Sequence, residues 1–302
     1  MGRWLTYQRE RFPLATYLLL SVGMGAQATV IATETLTLSL VIPASLMPLL
    51  FFAVLRLMDE VKDVAKDRIA HPERPLARGL IPVEEARRTI LLGLGLMVFL
   101  AVLLFNLFGP MPGLFYACTT LYLWLMYKEF YVGAWLSQRP LLYAATHQAI
   151  LLPLVASSAA LAPKMPLGVW DWSQLFLGGL QILPAFFAYE VARKLEPEIH
   201  PILGAYRSVY GLRRCQIILL GLALLSLFSM TVALAEAPFV WTNRFLIGAL
   251  LSVSILSPVG LYLVRGDRGA KTVEALATLN LLVSMYAPVA VFAYLRFVGG
   301  VP

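Results

Sequence analysis

The sequence predicts an all-α, polytopic membrane protein: nine transmembrane helices forming a single domain over residues 1–302. Three observations predict it. Of 302 residues, 60% are hydrophobic and only 14% are charged, against roughly a quarter charged in an ordinary soluble domain. The apolar residues run in continuous stretches close to the roughly 20 residues needed to cross hydrocarbon. They do not alternate in polarity as the strands of a transmembrane barrel do. The third observation is that the charges gather on one side of these stretches.

A short polar N-terminus, MGRWLTYQRERFP, carries no cleavable signal pattern and leads into the first span at 13–33. The second, 36–56, follows almost at once, so the two predict a tight helical hairpin. The third and fourth, 88–108 and 111–127, flank the turn FGPMPG at 108–113, and Pro110 and Pro112 shorten the fourth. Spans 140–162, 174–192, 214–235, 244–264 and 274–296 complete the set. Cys118 and Cys215 lie in or beside spans; they suggest no disulfide framework and are expected as small buried residues.

With this count, 21 of the 24 basic residues fall on one side, leaving Lys164, Arg244 and Arg296 on the other. The positive-inside rule then places the N-terminus and the even-numbered loops in the cytoplasm, as in a bacterial inner membrane or its equivalent. Fourteen of 17 acidic residues share that side, the exceptions being Glu34, Asp171 and Glu236. Any chemistry is therefore expected at the cytoplasmic face. The net charge of +7 reads as orientation and contact with the lipid bilayer. It does not point to nucleic acid, because the charge sits at helix ends.

Residues 56–79 read RLMDEVKDVAKDRIAHPERPLARG. Asp59, Asp63 and Asp67 stand at i, i+4 and i+8. Each step of four advances only about 40° around a helix, so the three carboxylates form one stripe. Like charges at that spacing repel unless something offsets them. Mg2+ would do so, because it is held by one or two carboxylates together with phosphate oxygens and water. Lys62 and Lys66 interleave with the aspartates, and a solvated helix laced with ion pairs is the alternative. Arg68, Arg74 and Arg78 follow, and their guanidinium forks suit phosphate. Pro72, Pro75 and Gly79 turn that segment into a shaped loop.

These residues resemble the UbiA superfamily of intramembrane prenyltransferases. That family's first motif is N-D-x-x-D-x-x-x-D followed by R-P-x-R-P-L-x-x-G. Here the matching residues are DEVKDVAKD at 59–67 and HPERPLARG at 71–79. Asp59 replaces the family Asn and Glu60 the family Asp, so oxygen ligands are kept. The resemblance implies nine helices around a central cavity with a cytoplasmic cap, and acidic motifs after helices two and six. It also implies an isoprenoid diphosphate substrate with Mg2+ as cofactor.

The family's second motif is D-x-x-x-D, and here Glu190 and Lys194 stand at its two acidic positions, with Arg193 beside them. This resembles a divergent branch with an E-x-x-R-K second motif. Lys194 then either meets the diphosphate directly in place of a second metal, or Glu196 or Glu198 completes a metal site with Glu190. An ion-pair ladder is the structural alternative. Glu190 ends an apolar run, however, and an ionisable residue at membrane depth points to function. The resemblance gives Lys128 as a further diphosphate contact; a snorkelling anchor is the other reading. His147, inside span five, is either a hydrogen-bonded core residue or, if it faces the cavity, a group that orients an acceptor or takes a proton. Tyr122, Tyr127, Phe130 and Tyr131 read as packing and interfacial belt.

The resemblance implies prenyl transfer to an aromatic or other small acceptor, a quinone precursor among them, through a carbocation. The metal set is Asp59, Asp63, Asp67, Glu190 and Glu198. The diphosphate set is Arg68, Arg74, Arg78, Lys128, Arg193 and Lys194, and the catalytic set is Asp59, Asp63, Asp67, Glu190 and Lys194. A membrane terpene cyclase acting on the same diphosphate without an acceptor is the alternative. A cation carrier is a third reading, disfavoured because span interiors hold almost no ionisable residues.

Overall fold

The computed structural model describes residues 2–33, 36–161, 172–195, 206–235 and 267–298, and its regular elements are all helical. In chain order they are α1 (Arg3–Arg11), α2 (Leu14–Thr33), α3 (Leu38–Ala70), α4 (Val83–Phe108), α5 (Pro110–Tyr127), α6 (Gly133–Ser137), α7 (Pro140–Gln148), α8 (Leu151–Ala159), α9 (Trp172–Ala192), α10 (Tyr206–Ala235) and α11 (Asp267–Val298). A single 3-10 turn, Glu129–Tyr131, lies between α5 and α6.

Among the described residues, seven helical stretches are long and apolar enough to cross a membrane, with α7 and α8 together making one of them. The expected fourth span is helical as α5, 18 residues long, but its prolines and tyrosines leave it less apolar than the seven. The expected eighth span, 244–264, lies outside the described residues. The N-terminal segment, expected only as a polar lead-in, is the helix α1. Cys215 is buried as expected, whereas Cys118 is exposed on the outward face of α5.

Prolines shape the helices in readable ways. The second span was expected to end near residue 56, yet α3 runs on to Ala70 and carries the acidic stripe on a continuous helix. It stops where Pro72 disfavours the α conformation at the preceding residue, and His71 accordingly has φ −144 and ψ 61. The fifth span is interrupted between α7 and α8. Pro153 has no N–H to offer the Ala149 carbonyl four residues back, and Leu152 N–H takes that carbonyl instead, at 3.1 Å.

Two other prolines leave carbonyls that neighbouring helices satisfy. Pro48 in α3 cannot bond the Ala44 carbonyl, and Ser158 Oγ of α8 donates to it at 3.0 Å. Pro288 in α11 cannot bond the Ser284 carbonyl, and Gln181 Nε2 of α9 donates to it at 2.8 Å. Without water, every such group needs a partner inside the protein. The two bonds therefore tie α3 to α8 and α9 to α11. Gln27 Nε2 adds α2 to the set by donating to Gln181 Oε1 at 2.6 Å. α2 packs on α3, α8, α9 and α11, and α5 packs on α3, α4 and α8.

Ser158→Ala should lower stability in detergent by about 1–3 kcal/mol, the cost of an unsatisfied buried carbonyl. Adding Pro48→Ala should recover part of that loss by restoring the helical N–H donor. Thermal unfolding of the single and double variants measures both effects.

Candidate active site

The extension of α3 carries most of the acidic chemistry. Its carboxylates fall into two groups according to how firmly they are paired. Glu60 is 2% exposed; its Oε1 accepts from Arg11 at 2.6 Å and from Arg56 at 2.8 Å. Asp67 is equally buried and accepts from Arg74 Nη1 at 2.7 Å. Asp59 and Asp63 are different. Their side chains are 44% and 38% exposed, and their only ion pairs among the described residues are loose ones, to Lys62 at 3.8 Å and Lys66 at 3.9 Å. The expected three-carboxylate stripe thus divides into two open aspartates one turn apart and a third held by the loop arginine.

Glu60 does not face the open pair. It joins α3 to α1, which is pinned at three further points. Trp4 Nε1 donates to Glu85 Oε1 at 2.8 Å, Arg3 pairs with Glu85 at 2.8 Å, and Glu10 accepts from Arg78 at 2.9 Å. Trp4, Tyr7 and Arg11 recur at helical spacing, a signal in the sequence for a packed face on α1. Burial and the neighbouring Arg56 lower the pKa of Arg11, and Glu60 offsets them only in part.

A pocket opens beside Asp59. Leu55, Met58, Asp59 and Lys62 of α3 line it, with Leu123, Met126 and Tyr127 of α5 and His147 of α7. Lys62 Nζ donates to Tyr143 Oη at 2.9 Å, and that hydroxyl donates to Glu129 Oε1 at 3.3 Å. Glu129, Phe130 and Tyr131 all have left-handed backbone, with φ of 50, 53 and 59. Three consecutive non-glycine residues in that region cost roughly 1–2 kcal/mol each. The strained turn sets Phe130 edge-on against His147, with ring centroids 5.7 Å apart, and against Tyr122, at 5.4 Å. Tyr131 points outward and is 73% exposed.

At the end of α9, Glu190 accepts from Arg193 Nε at 2.6 Å through one oxygen and from Lys194 Nζ at 2.6 Å through the other. Both of its oxygens are therefore engaged by cations, and the cluster carries a net positive charge. Lys194 also stands over the Tyr206 ring, 5.7 Å from its centroid. Glu196 and Glu198 lie outside the described residues. Arg68 is exposed on α3. Lys128 is exposed and rests over Trp124 and Tyr127, at 4.8 and 5.2 Å, which puts it at the pocket rim. Among the described residues, no three His, Cys, Asp or Glu side chains converge as a metal site. The Lys62–Tyr143 contact spans 81 residues and has no local signal in the sequence.

Glu60→Ala should leave Arg11 and Arg56 facing each other without their shared carboxylate. Losing one partner of a buried ion pair costs about 3–5 kcal/mol. Hydrogen exchange of α1 should rise sharply in this variant.

No family model matches the chain, and no curated protein matches it in sequence. Solved structures do match it in fold. A UbiA homolog from Aeropyrum pernix K1, in its apo form, aligns with a TM-score of 0.68 at 14% identity, covering 95% of this chain and 98% of that one. A digeranylgeranylglyceryl phosphate synthase aligns at 0.64 and 16% identity, covering 97% and 99%. A UbiA homolog from Archaeoglobus fulgidus bound to DMAPP and Mg2+ aligns at 0.57 and 13% identity, covering 94% and 99%. Over nearly its whole length, then, this chain has the fold of the UbiA homologs.

Proposed function

We propose that this chain is an intramembrane prenyltransferase, moving a prenyl group from an isoprenoid diphosphate to an aromatic or other small acceptor with Mg2+ as cofactor. The observation that carries the reading is the pair of open carboxylates, Asp59 and Asp63, one turn apart, with Asp59 lining a pocket whose other walls are mostly apolar. The structures of the Archaeoglobus fulgidus homolog hold DMAPP or GPP together with Mg2+, which supports the same ligands here. The basic residues collected at this end of the bundle support a cytoplasmic site.

The donor set fits Mg2+. This ion is commonly bound by one or two carboxylates and completes its shell with substrate phosphate and water, so two free carboxylates suffice. Held there, Mg2+ supplies charge stabilisation to the leaving diphosphate. The remaining roles fall to this chain's own side chains. Asp67 sets Arg74 in place, and Arg68 and Arg74 present guanidinium forks to the diphosphate; Arg78 would have to leave Glu10 and the Glu73 carbonyl to join them. Glu190 orients Arg193 and Lys194, and Lys194 meets the diphosphate as a point charge where the related motif has a carboxylate. Lys128 reaches it from the rim.

The allylic carbon–oxygen bond breaks with its electron pair leaving on the diphosphate. The cation formed needs a dry cavity, and Leu55, Met58, Leu123 and Met126 wall the pocket with hydrocarbon. The Tyr127 ring offers a face that stabilises positive charge. The acceptor then attacks the allylic carbon and loses a proton.

Asp63→Ala should reduce Mg2+-dependent pyrophosphate release from geranyl, farnesyl or geranylgeranyl diphosphate by about 100-fold or more, the scale expected for one electrostatic group at a reacting centre. Its thermal unfolding should stay close to that of the parent protein, since the ion pair Asp63 makes among the described residues is a loose one. Full activity in this variant would refute the metal assignment.

A further inference from the structure

The mechanism above leaves one proton without a destination, and one side chain in the pocket is arranged to receive it. His147 Nε2 is buried and has no hydrogen-bond partner among the described residues. Its chemistry is set by the other ring nitrogen. His147 Nδ1 lies 2.8 Å from the carbonyl oxygen of Tyr143. A carbonyl only accepts, so Nδ1 carries the proton and Nε2 the lone pair. Thr146 Oγ1, 3.4 Å from Nδ1, does not change this. Its own hydroxyl hydrogen is directed to the Leu142 and Tyr143 carbonyls, each 2.9 Å away.

The ring is also fixed in orientation. Tyr143 stacks on one face with centroids 4.0 Å apart, while Phe130 meets the ring edge-on. Phe130 is held there by the left-handed turn 129–131. The hydroxyl of the stacked tyrosine is bound by Lys62, and Lys62 pairs with Asp59. His147 therefore shares one pocket with Asp59, and its stacking partner Tyr143 is tied to the first acidic motif through Lys62, although the two lie on different helices.

The geometry points to His147 Nε2 as the catalytic proton acceptor for a hydroxyl-bearing acceptor substrate. This rests on the transfer reading above. The acceptor O–H donates to Nε2 and is held there facing the allylic carbon. Once the carbon–oxygen bond to the diphosphate has broken, a lone pair of the hydroxyl oxygen forms the new bond to the cationic carbon, and its proton passes to Nε2. The imidazolium then returns the proton to water at the pocket mouth. Ionisation of the diphosphate itself does not need His147. The role therefore separates two activities that a structural role would move together.

The test uses the full chain in detergent with Mg2+, geranylgeranyl diphosphate and a panel of phenols and alcohols. It compares the parent protein with His147→Ala and His147→Gln. Expected is a loss of acceptor prenylation of about 100-fold in both variants, the scale of one general base. Pyrophosphate release without acceptor should stay within about twofold, and added imidazole should restore prenylation to His147→Ala. Prenylation retained in either variant overturns the proposal while leaving the transfer reading intact. Loss of both activities in both variants also overturns it. If the parent protein prenylates no acceptor, the transfer reading and the proposal fall together. A readout independent of turnover is 15N NMR of labelled histidine, with His147 assigned from the signal lost in His147→Gln. A protonated Nδ1 with a bare Nε2 is expected, and the opposite tautomer overturns the proposal.

Discussion

A charge facing hydrocarbon must be paired or moved to water, and this constraint organises the charged end of the bundle. Glu60 is locked between Arg11 and Arg56, Asp67 by Arg74, and Glu190 between Arg193 and Lys194. The first two pairings also do mechanical work, attaching α1 and the 71–79 loop to α3, while the third is local to the end of α9. Asp59 and Asp63 stand apart from this pattern, with exposed oxygens and only distant lysines. The fold thus neutralises the carboxylates it uses as fasteners and leaves open Asp59, which lines the pocket, and Asp63 one turn along the same helix.

The same requirement acts deeper in the bundle on backbone groups. Pro48 and Pro288 each free a carbonyl where no water is present, and Ser158 and Gln181 supply the missing donors. Such bonds hold helices in register without relying on apolar contact, which drives association weakly among lipid tails. A registered scaffold is what a short-range electrostatic site needs. Displacing α5 or α7 relative to α3 would separate His147 and Tyr127 from Asp59.

Much of this was legible in the sequence because it depends on local periodicity. The i, i+4, i+8 spacing put Asp59, Asp63 and Asp67 on one stripe, and they do lie on one continuous helix. The apolar runs located the long helices, and proline chemistry accounts for where α3 ends and where the fifth span breaks. What was not legible depends on partners distant in the chain. Spacing alone cannot tell that Arg74 clamps Asp67 while Asp63 stays open. Glu60 looked like one more oxygen ligand until Arg11 and Arg56 were seen to hold it. Lys194 had three readings in the sequence; its i,i+4 pair with Glu190 is also what a plain ion-pair ladder gives, and Glu196 and Glu198, which would complete a metal site, lie outside the described residues. His147 was ambiguous because its meaning rests on which ring nitrogen meets a carbonyl, a matter of tertiary geometry.

The central claim is that the open aspartate pair and its pocket serve transfer of a prenyl group to a second molecule. Mass spectrometry of the products tests it most directly, with purified protein, Mg2+ and geranyl, farnesyl and geranylgeranyl diphosphates, in the presence and absence of phenolic and quinol acceptors. The account predicts a product with the acceptor's mass plus one prenyl group, formed only when Mg2+ is present. A cyclic hydrocarbon or terpene alcohol formed equally well without acceptor would contradict it and make the pocket a cyclisation chamber.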